Sequence, residues 1–176
     1  LLLHYLRNII GDDAFFKSLE LYLRTYQFKK AEIHQLRIAF EETTGKDLNW
    51  FFNQWFLNSG HPVLDVKYSF ANDTVSVYIK QTHNTDSKLV YTLPMSVAVY
   101  FADTTILHRI DITKAEETFS FVHKNQPLLV DADPERVVLC VRNETKSVNE
   151  WIYQLEHSSS FVARHDALEK LIGLQK

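Results

Sequence analysis

Leu48-Asn49-Trp50-Phe51-Phe52-Asn53-Gln54-Trp55-Phe56, then Asn58-Ser59-Gly60-His61-Pro62, then Leu64-Asp65-Val66-Lys67-Tyr68-Ser69-Phe70: across these residues the hydrophobic period changes. Before Asn58, the residues Leu48, Phe51, Phe52 and Trp55 recur at offsets of three, four and seven, which is one face of a helix. After Pro62, Leu64, Val66, Tyr68 and Phe70 alternate with polar residues, which is a strand with one buried face. A chain that switches period in this way is α+β, with a boundary near residue 60.

Working upstream, residues 1–60 read as helices. Leu1 to Ile10 is an apolar helical stretch stopped by Gly11, and Asp12 or Asp13 is placed to cap the next helix. Phe15, Leu19, Tyr22 and Tyr26 share one face of that helix, and Ile33, Leu36 and Phe40 one face of a third, which ends at Gly45. The third lacks a Ser, Thr, Asp or Asn cap. Asp47 is the expected cap of the fourth. Five aromatics within Trp50–Phe56 cover more than one helix face, so core packing or a domain interface is preferred to an aromatic ligand platform.

Downstream, all four prolines lie between 62 and 134. Alternating runs at 64–70, 75–79, 89–101 (interrupted at Pro94), 106–112, 119–121, 128–130 and 137–141 give about seven short strands, the pattern of an antiparallel β-sandwich. Ala71-Asn72-Asp73 is a turn and Thr82–Ser87 a polar loop. Helical period returns after Asn143. Ser147 with Glu150 three residues on forms a capping box, Ser158-Ser159-Ser160 interrupts, and a last helix ends near Gly173.

Composition narrows the function. With 45% hydrophobic and 23% charged residues, disorder is excluded. The net charge of −3 gives no electrostatic footprint for nucleic acid. No apolar run approaches the ~18 residues of a transmembrane helix, and no targeting signal indicates a compartment. The single Cys140 excludes an intrachain disulfide and a Cys-based zinc site.

Residues that carry chemistry are sparse. None of His4, His34, His61, His83, His108, His123, His157 or His165 begins a His-Glu-x-x-His helix, in which two imidazoles four apart reach one zinc. His165 and Glu169 are four apart on a helix and read as a solvated pair; His108 and Asp111 are weaker. There is no Gly-x-Ser-x-Gly elbow, and the four widely spaced glycines make no phosphate loop. Cys140 reads as a structural residue in an apolar strand. Glu41-Glu42 and Glu116-Glu117 read as solvated surface.

Gly45-Lys46-Asp47-Leu48-Asn49-Trp50-Phe51-Phe52-Asn53-Gln54-Trp55-Phe56, followed by Gly60-His61-Pro62-Val63-Leu64-Asp65-Val66, resembles the end of the catalytic domain in zinc aminopeptidases of the aminopeptidase N type, which are gluzincins. The family pattern is Gly-x-Asp-Leu, an aromatic pair, x-x-Trp, then Gly-x-Pro and a first strand. Leu6-Arg7, Gly11, Phe15-Phe16 and Tyr22-Leu23 are similar to the helical stretch before it, so the match spans about residues 1–70.

The resemblance implies three parts. Residues 1–60 would be the helical tail of a thermolysin-like catalytic domain, 61–143 an immunoglobulin-like β-sandwich, and 144–176 the first helices of a helical-repeat domain. It implies zinc and a peptide substrate in a full-length parent. The family's Gly-x-Met-Glu-Asn motif, His-Glu-x-x-His helix, third ligand Glu and oxyanion Tyr all lie upstream of the matched region. No catalytic, cofactor-binding or metal-ligating residue therefore carries over, and the chain alone is expected to be inactive. A non-catalytic relative acting as a scaffold or binding protein is the alternative, and a free-standing binding module a weaker third. The chain opens inside an apolar pattern without Met, which suggests a piece of a longer protein. Residues 1–26 would then expose apolar surface and self-associate.

Overall fold

The computed structural model describes residues 1–83 and 89–174; of the expected polar loop Thr82–Ser87, residues 84–87 lie outside that range. The chain divides into two compact units, Leu1–Gly60 and His61–Lys176. It is α+β, with two antiparallel-rich sheets and helices.

The first unit holds α1 (Leu2–Ile10), α2 (Asp12–Tyr26), α3 (Ile33–Thr44) and α4 (Asn49–Phe52), the last continued by a π-helical turn, Asn53–Leu57. Its core is aromatic. Tyr5 lies 5.8 Å from Phe51 and edge-on to Trp55 at 5.9 Å, and Phe15 meets Phe40 edge-on at 5.5 Å. Gly11, at φ 87°, separates α1 from α2. Neither Asp12 nor Asp13 caps α2. Asp12 lies inside the helix and accepts two bonds from Arg7 at 2.8 and 2.5 Å, so α1 competes for the carboxylate. The uncapped start of α3 is served by Gln35, whose Oε1 accepts the Glu32 N–H at 2.9 Å. The N-cap of α4 is Leu48 rather than the expected Asp47; Asp47 stands one residue earlier, and its Oδ1 accepts the Asn49 N–H at 2.8 Å. The wider π turn buries Gln54 beside Trp55.

The second unit holds β1 (Val63–Ala71), β2 (Thr74–Gln81), β3 (Leu93–Tyr100), β4 (Thr105–Ile112), β5 (Glu116–Val122), β6 (Leu129–Ala132) and β7 (Val141–Thr145). One sheet runs β5-β2-β1-β7 and the other β4-β3-β6. Asn72 and Asp73, both at positive φ, make the tight turn between β1 and β2. The buried faces carry Leu64, Val66, Val75, Val77 and Ile79 in one sheet, and Leu93, Met95, Val97, Val99, Ile110 and Ile112 in the other.

Three strand expectations need correction. The run 89–101 becomes a strand only from Leu93. Pro94 is tolerated in β3, the middle strand, because it lies at the strand's start, opposite Asp111 of β4 and outside the stretch Val97–Tyr100 that is in register with β6. The last strand is not 137–141 but Val141–Thr145. The Val137 and Val138 N–H groups are taken at 2.9 and 3.0 Å by the Asp133 carboxylate, which holds that stretch out of a ladder. β7 then pairs parallel with β1, so the first sheet is mixed rather than antiparallel.

Two helices follow, α5 (Val148–His157) and α6 (Phe161–Gly173). Ser147 and Glu150 make the expected capping box: Glu150 accepts the Ser147 N–H at 2.7 Å, and Ser147 Oγ accepts the Glu150 N–H at 3.3 Å. Buried Gln154 joins the helices by donating to the Ala163 carbonyl at 2.7 Å.

Candidate functional site

The concentration of chemistry lies where β1, β6, β7, α5 and α6 meet. Strand alternation turns Tyr68 on β1, Asp131 on β6 and Glu144 on β7 toward this point. The four-residue turn Asp133–Arg136 adds two more groups, and both of its ends lie in the left-handed region at φ 55°. Such backbone is costly for non-glycine residues. It is held by an Arg136 N–H bond to the Asp133 carbonyl at 2.9 Å and by Arg136 Nη1, which donates to the same carbonyl at 2.7 Å.

Three carboxylates, Asp131, Asp133 and Glu144, meet three cations, Arg136, Arg142 and Lys146, and all six side chains are buried or nearly so. Lys146 Nζ lies 2.8 Å from Asp131 Oδ1, 3.2 Å from Glu144 Oε1 and 2.6 Å from Gln154 Oε1. It also sits over the rings of Trp151 at 4.8 Å and Tyr68 at 5.3 Å. Arg136 donates to both Asp131 oxygens at 3.1 and 3.0 Å and, through Nε, to Asp166 of α6 at 3.0 Å. Arg142 reaches Asp133 at 2.7 Å. The Tyr68 hydroxyl donates to Glu144 and accepts the Ala132 N–H at 3.0 Å, so one phenol links the two sheets.

Electrostatics follow from burial and pairing. Burial alone would raise the Asp131 carboxyl, but Lys146 and Arg136 together hold it below the ordinary carboxylate range. Burial wins at Asp133 and pushes its carboxyl up despite Arg142 and the two backbone donors. Tyr68 is driven well above the usual phenol range by burial and by Glu144 and Asp131, so its hydroxyl stays a donor. Cys140 is pushed up to about 11 by burial, so it is a thiol near neutral pH and no nucleophile.

A cleft of about 450 Å³ opens beside the cluster, lined by Cys140, Arg142, Glu144, Trp151, Asp166 and Lys170 among others. The Arg142 and Glu144 heads that reach it are already paired. The arrangement can fix helices to sheets, since its charged groups are spent on one another across β6, β7 and α6.

Of the residues singled out in the sequence, Cys140 and Glu169 line this cleft, and Cys140 Sγ accepts from Arg142 Nη1 at 3.2 Å; the others lie elsewhere. His165 and Glu169 are exposed on α6. His108 and Asp111 lie on opposite faces of β4. Cys140 precedes β7 rather than lying in a strand. Two acids read as solvated are structural. Glu41 pairs with Arg37 at 2.5 Å and accepts the Leu48 N–H at 2.9 Å, which ties α3 to the approach to α4. Glu117 accepts the Thr113 and Lys114 N–H groups at 2.6 and 3.0 Å. Among the described residues, no three His, Cys, Asp or Glu side chains are grouped to hold a metal ion. The ionic cluster itself is invisible to periodicity: its members sit at strand ends and in turns, where charged residues ordinarily read as surface.

Comparison with known proteins finds likenesses to aminopeptidases. Residues 1–55 match the peptidase family M1 domain. Aminopeptidase N of Lactococcus lactis is 34% identical over 46% of this chain and 9% of its own length. Aminopeptidase N of Escherichia coli is 23% identical over 96% of this chain and 21% of its own. The crystal structure of Legionella pneumophila aminopeptidase A in complex with aspartic acid superposes with a TM-score of 0.79 at 17% identity, over 97% of this chain and 20% of that one. This chain thus spans about a tenth to a fifth of the length of these relatives.

Proposed function

We propose that this chain is related to the aminopeptidase N-type members of peptidase family M1 and is a C-terminal portion of a zinc metallo-aminopeptidase that removes N-terminal residues from peptides. The observation that carries this reading is the M1-domain match over residues 1–55, within a chain whose fold parallels an aminopeptidase over nearly its full length.

In this reading residues 1–60 close the thermolysin-like catalytic domain, 61–143 are an immunoglobulin-like sandwich, and 144–176 begin a helical-repeat domain. The change from helices to sheets after Gly60 supports the first boundary. The portion is structural and shapes access of the peptide. In such enzymes zinc supplies a Lewis acid and a water of lowered pKa. The described residues do not fit it, lacking any ligand group, so no step of the reaction is placed on this chain. Its own residues supply rigidity: the buried ionic cluster fastens α5 and α6 to both sheets, a firm base for further helices.

The test is made on the full-length protein. Hydrolysis of aminoacyl p-nitroanilides, abolished by a chelator and restored by zinc, is the expected result. A full-length protein that holds no zinc and hydrolyses nothing would instead make this a scaffold of the same architecture.

A further inference from the structure

His108 and His123 stand fifteen residues apart and meet with their Nε2 atoms 2.9 Å from each other. His108 lies on β4, the outer strand of one sheet, and His123 directly follows β5, the outer strand of the other. β4 pairs with β3 and β5 with β2, so the imidazole pair spans two sheets on the side where their outer strands lie. Both rings are partly buried and continue the inward rows of their strands: His108 with Ile110 and Ile112, His123 with Phe119 and Phe121. His108 stacks on Phe121 with centroids 3.9 Å apart and planes 16° from parallel, and Phe101 lies 5.3 Å from His123.

The two ring centroids are 5.1 Å apart, beyond the nitrogen gap by about two ring radii. That is a head-to-head arrangement. A shared metal ion at roughly 2.0–2.1 Å from each nitrogen would need the two ring axes to converge on a point off the line between them. Head-to-head nitrogens fit one hydrogen between them, donated by one ring and accepted by the other.

We propose that His108 and His123 form a proton-counting clasp between the outer strands of the two sheets, closed while a single hydrogen lies between the two Nε2 atoms and open when both carry one. The first added proton leaves a charged donor facing a neutral acceptor, which strengthens the bond. The second puts two N–H groups head to head on two cations, which breaks it. The pair therefore takes up its protons in two separated steps, and the clasp opens only at the lower one.

The surroundings favour this order. Burial and the neighbouring His123 both hold His108 below the usual imidazole range. Across from His108, β3 presents Val97. Arg109 and Asp111 lie on the opposite, exposed face of β4. The adjoining turns carry Asp73, whose carbonyl accepts the His123 N–H at 2.8 Å, together with Asp103 and Lys124. The unfolded chain binds protons to both rings near pH 6.5. The folded pair binds its second proton lower, so stability is full above that range and is lost as pH falls through the second step.

The test is a ring-nitrogen NMR titration of the 176-residue chain, with amide exchange followed in β4 and β5. Two midpoints at least one pH unit apart are expected, with complementary ring tautomers above the first. Protection of β4 and β5 amides should fall at the second step, about tenfold for each unit by which the two midpoints together lie below the free values. In His123→Gln, His108 should titrate once, nearer the ordinary range, and the acid-dependent loss of protection should shrink to the part that burial of His108 alone imposes. A single shared midpoint in the unmutated chain, or protection profiles that superimpose for the two proteins, would overturn the proposal. The titration of the unmutated chain decides even if the variant does not fold.

Discussion

Replacing Lys146 by Met removes a fully buried ammonium while keeping most of its volume. In the native unit that ammonium serves Asp131, Glu144 and Gln154 and lies over two aromatic rings. The variant leaves the wholly buried Asp131 carboxylate to Arg136 alone, and Glu144 to the Tyr68 hydroxyl and an Arg136 nitrogen 3.7 Å away. Breaking a buried pair from one side costs about 3–5 kcal/mol, because the stranded charge stays desolvated. Against a typical total of roughly 5–15 kcal/mol, that removes between about a fifth and all of the stability, and at the low end of the range it brings the second unit near its unfolding midpoint. The sign with pH is fixed as well. Asp131 is held below its unfolded value, so the stability it gains from Lys146 is complete above the ordinary carboxylate range and lost as pH falls through the folded value. Lys146→Met should thus lose most at pH 7 and progressively less below pH ~4. Urea unfolding followed by hydrogen–deuterium exchange and mass spectrometry reads peptides of 61–174 separately from those of 1–60. A loss below about 1 kcal/mol at pH 7, or one that does not shrink in acid, would refute the reasoning, since a surface pair behaves that way.

Asp47→Ala should destabilise the first unit by about 0.5–2 kcal/mol through the lost bond to the Asn49 N–H, read as a lowered urea midpoint. Ser147→Ala should cost a similar amount, roughly 1 kcal/mol, with faster exchange confined first to the N-terminal turn of α5; an unchanged α5 would deny the capping box its weight. Leu1, Leu3, Phe16 and Leu23 are exposed on α1, α2 and the residue before them, so light scattering at micromolar concentration should show mass above that of a monomer. A monodisperse monomer with α1 protected from exchange would contradict self-association through residues 1–26.

Periodicity carried the reading where one face of an element is buried. The stripe Leu48, Phe51, Phe52 and Trp55 is buried as its spacing requires, and the alternations of β1 and β2 end at the turn that Asn72-Asp73 marks. It failed where a polar group from elsewhere takes over a backbone. Val137, Leu139 and Val141 alternate like a strand, yet the Asp133 carboxylate captures the Val137 and Val138 N–H groups and delays the strand to Val141. Asp12 has the chemistry of a cap, but Arg7 lies one turn back and claims it. The parallel pairing of β7 with β1 brings together residues nearly eighty positions apart, which no local pattern encodes. The ionic cluster and the His108–His123 pair are hidden for the same reason: each is made of single residues on separate elements, and only strand order places them together. The aminopeptidase resemblance was legible because its signal is local, a set of fixed spacings around Trp50–Pro62.

As a structural part of a metallopeptidase, the function proposed above, this chain would hold none of the reaction's chemistry. Metal analysis of the purified 176-residue chain, with aminoacyl p-nitroanilide hydrolysis measured on the same sample, tests it most directly. Far less than one zinc per chain after dialysis and no hydrolysis above the buffer rate are expected; about one tightly held zinc per chain, with hydrolysis that a chelator abolishes, would contradict the proposal.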